Sequence, residues 1–591
     1  MSRVQSEHGS RAMDLVIRYE SGSPDVQEGG IPAHKPRSAD VWWIAIGLFL
    51  LVLGCYVLTS PGRIDLIDGQ VRFDVAYNWL TQGRPVVRDP WVGSIKGVAG
   101  LGGAVYSNYG APASVLSMPL VWLGLHRAHS DIQTTQFLFS LTSPLVGALI
   151  APVLFLIYLE LGVAKRSALF WTGVSMFATM IWPSSCTTLD NAQNAFFAVA
   201  AVYFALLSAR RGTAAYASIG GLAAGVLLLY QEYFVLIIPA MALATLGKRE
   251  NDAPERFPLE PRETTRPTKS AGTQLPRKVA EFIQEAWREP GDARTSCLRY
   301  CWFMAGAGVG LILSLAYNEM RFGSLLHSGK VQAAVQSYPL FGNPLAGFLT
   351  VLISPGKSVF LYSPPLVLGI LGLRGLFRCA PLLAAAIVTA SVTLVLFISC
   401  ISFAGGDWCW GPRYLTPLLP LLAIAFPFAT EHLGKRQLIP VLVGLGLIVQ
   451  VLALSADNQR FFFQRALPDY FWADDSWFYF KHSALYARVG EAISLPQGPP
   501  PMAYYFNSTP VTEWATYASL GPAPGIPRNL SPIWMQRFKI FFLPRPWPLW
   551  MLSLPASARP VDIAAWLAGL AGLIGAGAGL VYHGLRKRIG P

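Results

Sequence analysis

The chain has 591 residues, of which 53% are hydrophobic and 13% charged. Soluble domains carry about 25% charged residues, so this composition, with a mean hydropathy of +0.41, excludes a string of soluble domains and predicts a polytopic membrane protein. The net charge of +13 is not a nucleic-acid footprint, because no basic region is interleaved with aromatics; it fits basic loops kept in the cytoplasm and a basic tail that meets anionic headgroups.

Taken in chain order, residues 1–41 are polar, mixed in charge and aperiodic, and predict a disordered cytoplasmic tail. Apolar runs follow at 42–59, 134–161, 168–186, 191–208, 213–229, 231–246, 301–320, 357–373, 381–403, 412–430, 437–455 and 561–584. They are of roughly the length that crosses a bilayer, and give an all-α bundle of about 12 transmembrane helices. Lys165-Arg166, Arg210-Arg211, the segment 247–300, Arg374 with Arg378, Lys435-Arg436 and Arg586-Lys587-Arg588 fall on alternate sides in register. The positive-inside rule then places both termini in the cytoplasm. Keeping this register requires 213–246 to cross twice.

The chain thus divides into the tail, an N-terminal membrane region 42–246 containing a long first outer loop 60–133, and a cytoplasmic linker 247–300. A second membrane region 301–455, an aromatic and Pro-rich outer segment 456–560, and a last span with a basic tail 561–591 complete it. In the segment 456–560 the aromatics suit a lid at headgroup level or a surface for sugar rings. The seven cysteines show neither metal-ligand spacing nor a disulfide framework, and no metal site is expected.

Three outer clusters concentrate the polar groups. In the first loop, Phe73–Leu80 has helical apolar spacing, which places Asp68 just before a short amphipathic helix and Asp74 in its first turn, where acids suit the helix dipole. Asp65 precedes them, and Tyr106-Ser107-Asn108-Tyr109-Gly110 leads into an apolar run at 113–125 too short to span. The second cluster, Gly405 to Tyr414, carries Trp408, Trp410, Arg413 and Tyr414 at the mouth of a span. A cation at such an edge is costly unless it meets an anion, and a guanidinium takes a phosphate through two donors. The third holds Asn318 to Gly323, then His327, Lys330 and, opening the next span, Lys357. Each lysine can meet a phosphate or snorkel to the headgroups.

The motifs DGQVRFDVAYNWLTQG, YSNYGAPASVLSMPLVWLG, IWPSS, YNEMRFGSLLHSG, SPGKSVFLYSPPLVLGILGL and WGPRYLTPLLPLL occur in this order over about 40–455. In this arrangement the chain resembles the GT-C superfamily of membrane glycosyltransferases, in particular bacterial relatives of the protein O-mannosyltransferases and the lipid A aminoarabinose transferase. The resemblance implies a GT-C-like bundle, a sugar donor on a polyprenyl phosphate, and an Asp of the first outer loop as catalytic base. That role falls on Asp68, with Asp74 and Asp65 as substitutes. Arg413, with Lys357 and Lys330, would bind the donor phosphate; Tyr106, Tyr109, Trp408, Trp410, Tyr414 and His327 would contact substrate. The protein O-mannosyltransferases show an adjacent Asp-Glu pair, whereas Asp68 is followed here by Gly69.

The residue types suit this chemistry independently. A carboxylate can deprotonate an acceptor hydroxyl, and a fixed cation can stabilise charge on the departing phosphate. No P-loop or Rossmann motif is present, so no nucleotide cofactor is expected, and a divalent cation on the loop acids stays open. The expected setting is a bacterial inner membrane, with a protein, lipid or polysaccharide as acceptor. The alternatives are a secondary transporter, which would want ionisable residues near the midplane of its spans, and a non-catalytic assembly partner of the same fold.

Overall fold

The computed structural model describes residues 39–88, 96–126, 132–247, 293–330, 340–406, 409–431, 437–455, 480–494 and 560–586. Most of the expected tail, linker and 456–560 segment, together with Trp408, lies outside the described residues. Within the described residues the chain is a helical bundle with one two-stranded hairpin. Seven helices among the described residues are long and apolar enough to cross a membrane: Ala39–Thr59, Thr134–Glu160, Asn191–Arg211, Arg294–Phe322, Pro381–Cys400, Leu438–Ser455 and Ala564–Arg586.

The other five apolar runs form shorter or broken helices, and proline accounts for much of the breaking. Pro364 and Pro365 separate Val359–Tyr362 from Leu366–Cys379, and in 412–430 Pro412 and Pro417 precede a 3-10 turn and a short helix, with Pro420 and Pro427 inside the turns Leu418–Ala423 and Phe426–Glu431. A proline removes an intrahelical donor and disfavours helix in the residue before it.

Six helices position the site. They are α1 (Ala39–Thr59), α2 (Ile67–Gln82), α3 (Pro112–Leu125), α4 (Asn191–Arg211), α5 (Ala214–Tyr230) and α6 (Ala293–Phe322). Between α2 and α3 the strands β1 (Gly97–Ala99) and β2 (Val105–Ser107) pair antiparallel, with Gly97 opposite Ser107.

Helices α5 and α6 pack backbone to backbone. A Cβ on Gly221 would lie 2.0 Å from the Phe303 carbonyl oxygen, and one on Gly310 2.2 Å from that of Gly225. Small residues permit this approach where lipid supplies no hydrophobic drive between helices. The large apolar side chains of α6 on the other face, such as Ile312 at 66% exposure, are left for lipid.

Between 213 and 247 the chain runs back along α4 and out again. At one end of α5, Gly110 of the long loop lies against the Leu229 carbonyl, and the Tyr230 hydroxyl donates to Gln193 Oε1 at the start of α4. At the far end Gly247 packs beside Ala209 near the end of α4, and Arg299 near the start of α6 donates to the Thr245 and Gly247 carbonyls. The return leg is a run of 3-10 and α turns, Glu232–Leu236, Ile238–Ala242 and Leu243–Leu246.

The loop helix differs from its expected extent. Phe73–Leu80 is only the middle of α2, which starts at Ile67 and ends where Gly83 takes φ 69° and donates to the Trp79 carbonyl. Asp68 therefore lies in the first turn and Asp74 in the second, not before the helix and in its first turn. The short run at 113–125 is α3, which buries Ala113, Ser114, Ser117, Val121 and Gly124 and exposes Trp122 and Leu123.

Candidate active site

The polar groups at the loop end of the bundle converge on the start of α2. Asp68 is buried, and its carboxylate lies 3.4 Å from Arg413 Nη1 and 3.8 Å from Lys96 Nζ. The Tyr109 hydroxyl donates to it. One turn along α2, Arg72 pairs with Asp190 at 3.0 Å and lays its guanidinium 4.5 Å above the Tyr109 ring. Arg413 Nη2 donates to the Tyr414 hydroxyl at 3.3 Å. Two carboxylates and three cations from four stretches of chain thus form one linked cluster.

Local sequence explains how the cluster is held. Leu66 starts α2 without a side-chain cap, so the acid in the first turn faces unsatisfied amides and the positive end of the helix. Asp65 accepts from the Thr188 amide at 2.9 Å and from its hydroxyl at 2.5 Å, which ties the stretch before Asp190 to the base of α2. A Cβ on Gly69 would lie 2.2 Å from Thr188 Oγ1. The glutamate of an adjacent acidic pair has no room there. Gly406, at φ 73°, lies beneath Arg413, where a Cβ would come within 2.6 Å of Arg413 Cγ.

Burial alone would raise the Asp68 pKa. The charges of Lys96, Arg413 and Arg72, with the Tyr109 hydrogen bond, outweigh it and hold the carboxyl well below the usual carboxylate range. Burial and the neighbouring Asp68 charge push the Tyr109 phenol well above its usual value, so it stays a donor. Some of the buried polar atoms without a hydrogen-bond partner belong to the cluster and the loop beside it: Arg72 Nη1, Arg413 Nε and the Asn108 amide oxygen. Leftover donors on paired arginines suit a further anion.

The expected site residues separate into two sets. Asp68, Arg413, Tyr109 and Tyr414 come together. Asp65 holds Thr188, and Asp74 accepts from Asn78 Nδ2 at 3.0 Å and from the Arg88 amide at 2.7 Å, as a brace for the loop after α2. Lys357 is buried and donates to the Cys409 and Gly411 carbonyls at 2.9 and 3.3 Å. Lys330 pairs with Glu232 and donates to Gln231 Oε1. Tyr106 and His327 both pack edge-on against Phe322, and Trp410 against Tyr362.

Three members of the cluster were absent from the expected site: Lys96, Arg72 and Asp190. Lys96 is the one cation in Trp91–Tyr109, a stretch otherwise of small and apolar residues; that isolation was its available signal. Arg72 and Asp190 lie 118 positions apart in the sequence (190 less 72), and only packing reveals the pair. Among the described residues no three His, Cys, Asp or Glu side chains converge as a metal site.

No protein-family model and no curated protein matches the chain. Among solved structures it is similar to ArnT from Cupriavidus metallidurans bound to undecaprenyl phosphate, at 13% identity over 93% of this chain and 77% of that one, with a TM-score of 0.43. It is also similar to the Archaeoglobus fulgidus oligosaccharyltransferase tethered with an acceptor peptide, at 12% identity, 90% and 63% coverage and a TM-score of 0.38. At such identities the likeness says nothing of which residues react.

Proposed function

We propose that the protein is a glycosyltransferase that moves a sugar from a polyprenyl-phosphate donor to an acceptor hydroxyl at the outer face of a bacterial inner membrane. The observation that carries this reading is one carboxylate, Asp68, buried against Lys96, Arg413 and Arg72 at the start of α2. Such a cluster offers both things the reaction needs, a base and cations for the leaving group.

In the proposed step the acceptor oxygen attacks the anomeric carbon while the bond from that carbon to the phosphate oxygen breaks. The electron pair stays on the phosphate, where Arg413 and Lys96 stabilise it, and the hydroxyl proton goes to Asp68. Direct attack inverts the anomeric configuration. In the resting arrangement the cations make Asp68 a weak base. A bound phosphate adds negative charge and draws Arg413 and Lys96 toward itself, and both effects raise the basicity of Asp68. The base is thereby strengthened when donor is present.

Binding of a polyprenyl phosphate to the purified protein, followed by native mass spectrometry, tests the cation assignment. Arg413→Gln and Lys96→Met are expected to weaken binding by about tenfold or more each, since hydrogen bonds to charged groups contribute about 1.5–3 kcal/mol. Asp68→Asn removes a negative charge and is expected to bind at least as tightly as wild type. Equal affinity in wild type and both cation variants would count against the reading.

A further inference from the structure

We infer that Arg321, at the end of α6, is a positioning residue that holds the β1–β2 hairpin in register so that Lys96 and Tyr109 both reach Asp68. The inference rests on the proposed transfer reaction for its functional consequence, and on geometry for the rest. Arg321 is 2% exposed although it is the basic residue in the last turn of a long apolar helix. Its Nη1 donates to the carbonyls of Ser107 at 2.5 Å and Tyr109 at 3.2 Å, its Nη2 to Asn318 Oδ1 at 2.8 Å, and its Nε to the Tyr317 carbonyl at 3.3 Å. The guanidinium stacks 4.0 Å from the Tyr317 ring. One planar fork thus spans from the helix to two hairpin carbonyls that flank a single residue.

Those carbonyls belong to the segment that sets the cluster. Ser107 pairs with Gly97, and the Asn108 amide donates to the Lys96 carbonyl at 3.2 Å. Tyr109 reaches Asp68 by its hydroxyl, and Lys96 reaches it by its ammonium. The hairpin is only three residues a side, and a two-stranded ribbon this short is not stable alone. Gly100 permits the contact from the other side, since a Cβ there would lie 2.3 Å from the Arg321 carbonyl oxygen. Arg321 itself is not among the groups that face Asp68; it acts through the hairpin.

Lysine can offer one nitrogen to the two carbonyls, as Nη1 does, but lacks the Nη2 and Nε donors that fix the group to Asn318 and Tyr317 on its own helix, so it holds the hairpin less firmly. The test compares wild type, Arg321→Met and Arg321→Lys by hydrogen–deuterium exchange in detergent and by sugar transfer from a polyprenyl-phosphate donor. In Arg321→Met, exchange is expected to rise in 96–109 while the helices at 191–211 and 381–400 stay protected. Transfer is expected to fall by about 10²-fold, the scale of a displacement near 1 Å, and Arg321→Lys to fall between the two. Exchange in 96–109 equal to wild type, or a rise spread over the whole bundle, would overturn the inference. So would loosening of the hairpin with transfer unchanged. Should Arg321→Met not fold, Arg321→Lys carries the same comparison. A wild type inactive toward every donor would remove the proposed reaction, while the clamp would still be judged by exchange alone.

Discussion

In the proposed reaction Asp68 has two roles, ion-pair partner and base, and its neighbours decide which it plays. Its folded pKa lies below that of an unfolded aspartate, about 3.9, because three cations favour the charged form. The stability it contributes is therefore fully present above that unfolded value and is lost as the pH falls through the folded one. The melting difference between wild type and Asp68→Asn is expected to stay constant from about pH 5 to 8 and to narrow below about pH 4, as thermal melts in detergent would record. A difference that changes across neutral pH would mean that Asp68 titrates there and that the cations do not hold it. Asp74 gives the contrasting case. Its oxygens brace Asn78 and the Arg88 amide, so Asp74→Asn is expected to lower the melting temperature by the loss of about 1–3 kcal/mol and to keep most transfer activity. Loss of activity as severe as that of Asp68→Asn would move the base to Asp74.

At the scale of elements, the close crossings explain which glycines matter. Gly310→Val would drive side-chain atoms into the backbone of α5, where a Cβ already comes within 2.2 Å of the Gly225 carbonyl oxygen. The expected cost is about 1–3 kcal/mol or more, as is typical of overpacking, read as a lower melting temperature, whereas Gly308→Val, with nothing within 4 Å, is expected to be near neutral. Equal effects would refute the packing of α5 on α6. Helix α2 shows where such elements were hard to see in sequence. Its first turn, Asp68-Gly69-Gln70, is buried against the polar Thr188 loop and the cluster, so an inward face made of polar residues interrupts the apolar period that marked Phe73–Leu80. The apolar runs themselves were legible, but their continuity was not. Prolines such as Pro364, Pro365 and Pro417 leave the run apolar while breaking the helix.

For the molecule as a whole, the site joins residues 345 positions apart, Asp68 and Arg413. Sequence singled out both, Arg413 as a cation at the edge of an apolar run and Asp68 as an acid at the start of a loop helix; the Arg72–Asp190 pair and the hairpin that delivers Lys96 depend on tertiary packing and had no periodic signal. The loop containing Gly110 and the helix end near Ala209 lie at opposite ends of the α4–α5 pair, and the proposed topology, in which 213–247 crosses twice, puts Arg84 of that loop outside and Arg210 inside. In a cysteine-free background, Arg84→Cys is expected to react with a membrane-impermeant maleimide in intact spheroplasts, and Arg210→Cys only after permeabilisation. Reaction of both in intact cells would break this topology. The central claim, that Asp68 serves as base in sugar transfer, is tested most directly by single-turnover transfer from a panel of polyprenyl-phosphate sugars, with wild type and Asp68→Asn side by side. The account predicts transfer by wild type and a fall of about 10²–10⁴-fold in the variant, with lipid-phosphate binding intact; transfer that survives in Asp68→Asn would contradict it.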